Sequence, residues 1–212
     1  MTDTVPAGLY ALTGGGSRTE GGLLEGVAAA IRGGARWVQY RDKDAPPDTR
    51  AARAKALRRL CNECGVPLIV NDDVALARAV GAAGVHLGRD DASLQAARET
   101  LGAGALIGIS CYDSLDRARA AEAGGADYVA FGRFFPSRTK PRATPAPIGL
   151  LRRARAALSV PIVAIGGITP ENGAALIVAG ADVLAVGHGV FGHADIEAAA
   201  RRCAALFDIP AP

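Results

Sequence analysis

The stretch PLIVNDDVALARAVGAAGVHLGRDD, residues 67–91, decides the fold. It opens on an apolar run, Pro67 to Val70, passes through the polar trio Asn71-Asp72-Asp73, and continues into a segment of helical period, Ala75 to Val80. Gly81 follows as the expected helix stop. A second apolar run, Gly84 to Leu87, then leads to Asp90-Asp91. Both runs are continuous rather than alternating, the pattern of strands buried on both faces in a parallel sheet. One strand, one crossover helix and the next strand are thus contained in a single stretch.

The same unit recurs in both directions. Further apolar runs lie at Leu9 to Thr13, Trp37 to Arg41, Leu106 to Ser110, Tyr128 to Phe131, Pro161 to Ile165 and Val183 to Val186. Between them stand helical segments rich in Ala and Arg: Leu23 to Arg32, Asp48 to Cys64, Ser93 to Leu101, Ser114 to Ala123, Ile148 to Leu158, Glu171 to Ala179 and Asp195 to Leu206. Eight strand-helix units without a long linker predict an α/β protein, a single-domain (β/α)8 TIM barrel over residues 1–212; an open doubly wound sheet with an added edge strand is the alternative. A chain of 212 residues, 50% of them hydrophobic, can bury a full core. In a barrel the chemistry gathers on the loops that follow the strands, so strand-end residues become candidates by position.

Composition narrows the partners. The net charge of +3 comes from arginines scattered over the helical segments, without a basic run or interleaved aromatics, which argues against nucleic acid. The N-terminal MTDTVPAGLYALT lacks a charged n-region with an apolar h-region, and no apolar run reaches bilayer length. A cytoplasmic protein without membrane contact is expected, with a homo-oligomer left open. Cys61 and Cys64 form a lone CxxC late in a helical segment, the wrong end for stabilising a thiolate, and no second pair completes a zinc site. Packing or chance occurrence, rather than chemistry, is expected for them, and Cys111, at a strand end where a ligand could meet it, is read as a small apolar side chain.

The second strand ends in Gln39-Tyr40-Arg41-Asp42-Lys43. Alternation sends Gln39 and Arg41 toward the barrel interior and Tyr40 away. Arg41 with Lys43 suits a polyphosphate, unless these cations pair with Asp42 and Asp44 on the surface. The third and fourth strands each deliver an acidic pair, Asp72-Asp73 and Asp90-Asp91. Helix capping accounts for one aspartate of each pair. That leaves Asp72 and Asp91 for Mg²⁺, which takes one or two protein carboxylates and completes its shell with water and phosphate. Ser110 ends the fifth strand as either a cap or a ligand partner. Gly166-Gly167 and Gly187-His188-Gly189, after the last two strands, leave room for phosphate against backbone N–H groups. The loop GRFFPSRTKPRATPAP, residues 132–147, holds Ser137, Arg138, Thr139 and Lys140 between two prolines, as a phosphate clamp or as solvated surface. His86 has no second histidine at metal spacing and is read as a packed side chain.

Taken in order, QYRDK (39–43), IVNDD (69–73), GVHLGRDD (84–91), IGIS (107–110), YVAFGRFFPSRTKP (128–141) and AIGGIT (164–169) resemble the motifs of the thiamine phosphate synthase family over nearly the whole chain. The resemblance implies an enzyme, a transferase that joins a pyrimidine diphosphate to a thiazole phosphate and releases pyrophosphate. It implies that Gln39, Tyr40, Arg41, Asp42, Lys43 and Asn71 hold the pyrimidine diphosphate, with Ser110 and Lys140. Asp72 and Asp91 would bind Mg²⁺. Ser137, Arg138, Thr139, Gly167, Gly187 and His188 would surround the thiazole phosphate, and Arg41, Lys43, Ser110 and Lys140 form the expected catalytic set. The family chemistry is dissociative: pyrophosphate leaves first, and the thiazole nitrogen captures a methylene cation, so no side-chain nucleophile is needed.

Two positions depart from the family pattern. Many members carry Val-Ser where this chain has Gly187-His188, and Tyr112 stands where histidine is common. A similar thiazole tautomerase places its proposed catalytic histidine at the position of Tyr112, so tautomerase activity is not expected here. A non-catalytic barrel that binds a phosphate ligand is the remaining rival.

Overall fold

Each apolar run becomes a strand whose alternate side chains enter two different cores. The computed structural model describes residues 6–14, 19–136 and 144–208. Its strands are β1 (Gly8–Leu12), β2 (Ala35–Tyr40), β3 (Leu68–Asn71), β4 (Gly84–Leu87), β5 (Leu106–Tyr112), β6 (Tyr128–Phe131), β7 (Ile162–Ile165) and β8 (Val183–Val186). They pair in chain order, all parallel, and β8 closes on β1. The expected (β/α)8 barrel is therefore the observed one, and closure excludes the open sheet.

The helices are α1 (Glu20–Arg32), α2 (Pro47–Glu63), α3 (Val74–Val80), α4 (Leu94–Leu101), α5 (Leu115–Ala123), α6 (Gly149–Ala157), α7 (Gly173–Val178), α8 (His188–Phe191) and α9 (Ile196–Ala204). The short α8 was not anticipated. Its four residues are too few to display a helical period, and Gly187 and Gly189 read as loop. The start of α7 falls later than the pattern suggested, because Asn172 organises a turn before it. Its Oδ1 accepts from the Thr169 N–H (2.8 Å) and its Nδ2 donates to the Gly167 carbonyl (3.0 Å).

Leu9, Ala11, Val38, Tyr40, Val70, Val129 and Phe131 face outward and pack under the helices. Tyr10, Trp37, Ile69, Tyr128, Val163 and Val183 fill the barrel itself. Three aromatics dominate that interior. The Trp37 ring stands edge-on to Tyr128 (centroids 5.3 Å apart, 82°) and 5.2 Å from Tyr10, and its Nε1–H is satisfied by the Pro6 carbonyl at 2.9 Å. Such pairs are worth about 0.5–1.5 kcal/mol beyond the area they bury.

Two carboxylates brace the end of the barrel opposite the strand-end loops. Asp182 accepts from the Ile162 N–H at 2.7 Å and from Arg155 at 2.9 Å; Asp127 does the same for Ile107 (2.7 Å) with Arg98 (2.6 Å). Each ties an N–H at the start of a strand, the first residue of β7 and the second of β5, to a guanidinium on a helix. Asp182→Ala is expected to lower stability by about 1–3 kcal/mol, because it strands a backbone donor. Urea unfolding should show the loss while KM stays at its wild-type value, since the strand-end loops are untouched.

Candidate active site

The ends of β2 to β5 bring the expected cations and carboxylates together. Asp72 follows β3 with φ +66°, a left-handed conformation that aspartate tolerates better than most residues. Its N–H donates to the His86 carbonyl (2.9 Å), and its carboxylate lies 2.7 Å from Lys43 Nζ. Asp73 does the capping instead: it accepts from the Leu76 N–H at the start of α3 (2.9 Å) and meets Arg50 at 3.3 Å. So the division of labour within the first acidic pair holds.

In the second pair it does not. Ser93, immediately before α4, is the cap and accepts from the Ala96 N–H at 3.2 Å. An aspartate two or three residues upstream cannot reach those first N–H groups. Asp91 instead turns back to accept from the Gly88 N–H at 2.6 Å.

Asp91 also hydrogen-bonds Asp72 across the gap between β3 and β4. Burial opposes ionisation of Asp72, but the Lys43 ammonium, the hydrogen bond from Asp91 and the nearby Arg41 outweigh it and hold that carboxyl below the usual range. Burial raises Asp91, and the facing Asp72 charge raises it further against the Gly88 N–H. Two like charges this close favour one shared proton, and a divalent cation is the natural replacement for it. The donor set fits Mg²⁺: hard carboxylate oxygens, two in number. Among the described residues no group of three or more His, Cys, Asp or Glu gathers that could hold a metal alone. Magnesium tolerates so few protein ligands because it keeps water and substrate phosphate in its shell.

Beneath this cluster, polar side chains cross the barrel interior. Gln39 Nε2 donates to Tyr10 Oη (2.8 Å), and Tyr10 Oη lies 3.2 Å from Tyr128 Oη. Tyr128 Oη is 3.1 Å from His86 Nδ1, and His86 Nε2 is 2.9 Å from Ser110 Oγ. His86 is packed, as its isolation in the sequence suggested, yet it reaches Ser110. Ser110 is not a cap, for Ser114 caps α5 through the Arg117 N–H at 3.2 Å.

A closed barrel with a carboxylate pair, two cations and a serine at its strand ends accords with the match of the thiamine monophosphate synthase family model to residues 9–190. The chain belongs to that family. It is similar to the thiamine-phosphate synthase of Thioalkalivibrio sulfidiphilus, at 54% identity over 202 residues that cover 95% of this chain and 96% of the relative. The thiamine-phosphate synthase of an Azoarcus species is 58% identical over 185 residues, covering 87% and 90%. The solved thiamine phosphate pyrophosphorylase from Pyrococcus furiosus superposes with a TM-score of 0.86 at 34% identity, covering 95% and 96%. An enzyme of the transferase type in thiamine biosynthesis follows, as the motifs implied.

Other residues singled out on the thiamine monophosphate synthase pattern have varied surroundings. Arg41 is held through its backbone by Thr13, a buried residue not foreseen as part of the site. Thr13 Oγ1 accepts from the Arg41 N–H (2.9 Å) and donates to the Arg41 carbonyl (3.4 Å). Its place at a strand end was the only signal. Asn71 ends β3 half-buried, opposite His86 in register. Tyr40 points away from the interior, and burial followed by the Asp42 charge pushes its hydroxyl up to about 12. Asp42 accepts from Arg53 (2.7 Å) and from the N–H groups of Ala45 (3.1 Å) and Asp44 (3.3 Å). These two side chains therefore shape the loop between β2 and α2.

That loop yields a pH prediction. Burial works against the Asp42 carboxylate, but Arg53 and the two N–H donors outweigh it and lower its pKa. A lowered folded pKa contributes stability that is present above the ordinary carboxylate range and lost as pH falls through the folded value. Asp42→Asn should therefore show a flatter loss of stability than the parent between about pH 5 and pH 3, measured by urea midpoints.

Tyr112 occupies the position where histidine is common in the family. Its hydroxyl accepts from the Arg89 N–H at 3.2 Å, and the guanidinium groups of Arg89 and Arg117 lie 4.9 and 5.8 Å from its ring centre. Arg117 in turn donates to the carbonyls of Ser110 (2.8 Å) and Gly88 (3.3 Å), tying the Asp91 loop to the end of β5. Neither Arg117 nor this tie carries a sequence signal. Across the ring, Gly167 sits at φ +66° where an added Cβ would stand 2.3 Å from the Pro136 carbonyl oxygen, so the loops after β6 and β7 touch through it. Gly187 precedes α8, and the exposed His188 ring lies back against Gly192. Ser137, Arg138, Thr139 and Lys140 lie outside the described residues. Cys61 and Cys111 are buried in the outer core, which raises both thiols to about 12, in line with a packing role, whereas Cys64, just past the end of α2, is exposed and does not pack.

Proposed function

We propose that this barrel mouth performs the family's synthase reaction by easing pyrophosphate off a pyrimidine diphosphate before the thiazole nitrogen attacks. The observation that carries the reading is the cluster in which Asp72 is hydrogen-bonded both to Lys43 and to Asp91, beside Arg41. Asp72 and Asp91 would hold Mg²⁺, which when bound supplies charge neutralisation for the departing diphosphate. Arg41 and Lys43, with Lys140, donate to its oxygens as negative charge accumulates there. Gln39, Asn71 and Ser110 orient the pyrimidine over the interior. Gly167, Gly187 and His188, together with Ser137, Arg138 and Thr139, receive the thiazole phosphate across the ring. No side chain attacks: Cys111 faces the outer core, and Ser110 is bonded to a histidine that leans on a tyrosine rather than a carboxylate.

No described helix is long and apolar enough to cross a membrane, and a cytoplasmic enzyme acting on small phosphorylated substrates is the accompanying proposal. The test is a coupled assay of pyrophosphate release. Release is expected only with both substrates and Mg²⁺ present; metal-independent turnover would remove the role given to the carboxylate pair. The thiazole carboxylate tautomer incubated alone should show no ultraviolet change, given Tyr112.

A further inference from the structure

Ser110 and His86 stand 2.9 Å apart, and a serine paired with a histidine has two opposite chemical meanings. If His86 Nε2 accepts, Ser110 is primed as a nucleophile. If Nε2–H donates, the imidazole cannot take the serine proton, and the hydroxyl hydrogen is free for a ligand. Proton counting along the buried chain decides between them. The Gln39 amide nitrogen can only donate, so Tyr10 Oη accepts from it. Tyr10 has one proton, and its neighbour at 3.2 Å is Tyr128 Oη, which therefore accepts. Tyr128, fully buried, passes its own proton to His86 Nδ1. An imidazole that accepts at Nδ1 carries its hydrogen on Nε2.

We infer that the Gln39–Tyr10–Tyr128–His86 chain fixes His86 as the Nε2–H tautomer and thereby sets the Ser110 hydroxyl as a hydrogen-bond donor to the ligand, with His86 and Tyr128 as positioning residues. The serine then accepts from below and donates upward, as suits a diphosphate oxygen or a pyrimidine nitrogen and not covalent catalysis. Tyr128 is placed for this by its ring, which stacks on His86 at 22° with centroids 5.6 Å apart. The part played by Ser110 rests on the reaction proposed above, whereas the tautomer does not.

The chain contains three histidines, so ¹⁵N-histidine labelling of the whole protein gives a simple spectrum, assigned by the signal missing in His86→Gln. His86 is expected as the Nε2–H tautomer with a slowly exchanging proton. An Nδ1–H signal would overturn the inference whatever the activity. Tyr128→Phe keeps the stacked ring and removes only the donor. It should mix the two tautomers and lower kcat about two- to tenfold with little change in KM, the range of one hydrogen bond. In a Ser110→Ala background the same change should cost nothing further. Equal losses in both backgrounds would show that Tyr128 does not act through Ser110. Tyr10→Phe, one link further back, repeats the test with a smaller shift in the same direction if Tyr128→Phe folds poorly.

Discussion

Asp72→Asn is expected to lower kcat/KM on the order of 10²–10³-fold, the usual cost of losing one preorganised charge contact at a site of developing charge. Asparagine adopts the φ +66° backbone as readily as aspartate, so the variant leaves the turn after β3 intact and removes only the charge. Lys43 then loses its partner at 2.7 Å, and among the described residues Asp91 is left without the carboxylate that faced it. Kinetics across a magnesium titration should show the loss in turnover. In a thermal scan, added Mg²⁺ is expected to raise the parent's Tm, as a ligand that binds the folded state does, and to leave that of the variant unchanged. Asp72→Gly is the companion. It suits the left-handed backbone at least as well and has no carboxylate, so it should match the asparagine variant in activity while melting close to the parent. Near-normal turnover in either variant would contradict the role assigned to the pair.

Gly108→Ala carries the largest expected effect on stability. Gly108 lies on β5 facing the barrel interior, and an added Cβ would stand 2.0 Å from Tyr128 Cζ and 2.3 Å from its Cε2. The tyrosine is fully buried and wedged against Trp37 and His86, so it has nowhere to retreat. Overpacking of a rigid core costs about 1–3 kcal/mol and sometimes more. Here the top of that range is expected, about 3 kcal/mol, or a fall of roughly 6–12 °C in Tm for a chain of this size. The Tyr128 hydroxyl oxygen, at 2.4 Å, is only the outermost of the clashing atoms, so Tyr128→Phe in the same chain should give slight relief, while Tyr128→Val, which removes the ring, should recover more of the loss. Scanning calorimetry of the three variants is the check. An unchanged melting point for Gly108→Ala would mean that the interior is looser than its contacts indicate.

The amino-acid pattern alone carried the parts that depend on neighbours in the chain. Continuous apolar runs, a helical period between them and glycine stops specify eight strand-helix units, because the preference for strand or helix is settled within a few residues. The same locality made Asp73 legible as the cap of α3, and hence Asp72 as the residue left over. In the second pair the same reasoning failed: an aspartate was read as the cap, whereas Ser93, taken for the first helical residue, holds the Ala96 N–H, and where the helix begins turned on backbone geometry that sequence does not display.

Closure of the barrel decided the rest. Tyr10 and Tyr128 are 118 positions apart and meet only because β1 and β6 line the same interior. Thr13 grips Arg41, and Arg117 joins Gly88 to Ser110, through contacts between different strand-helix units. The four residues of α8 take shape against the closed ring rather than from any period of their own. Alternation could say that Gln39 points inward. Which hydroxyl would satisfy its amide, and so which way the protons run to Ser110, is a matter of distances across a space that exists only once the sheet has closed on itself.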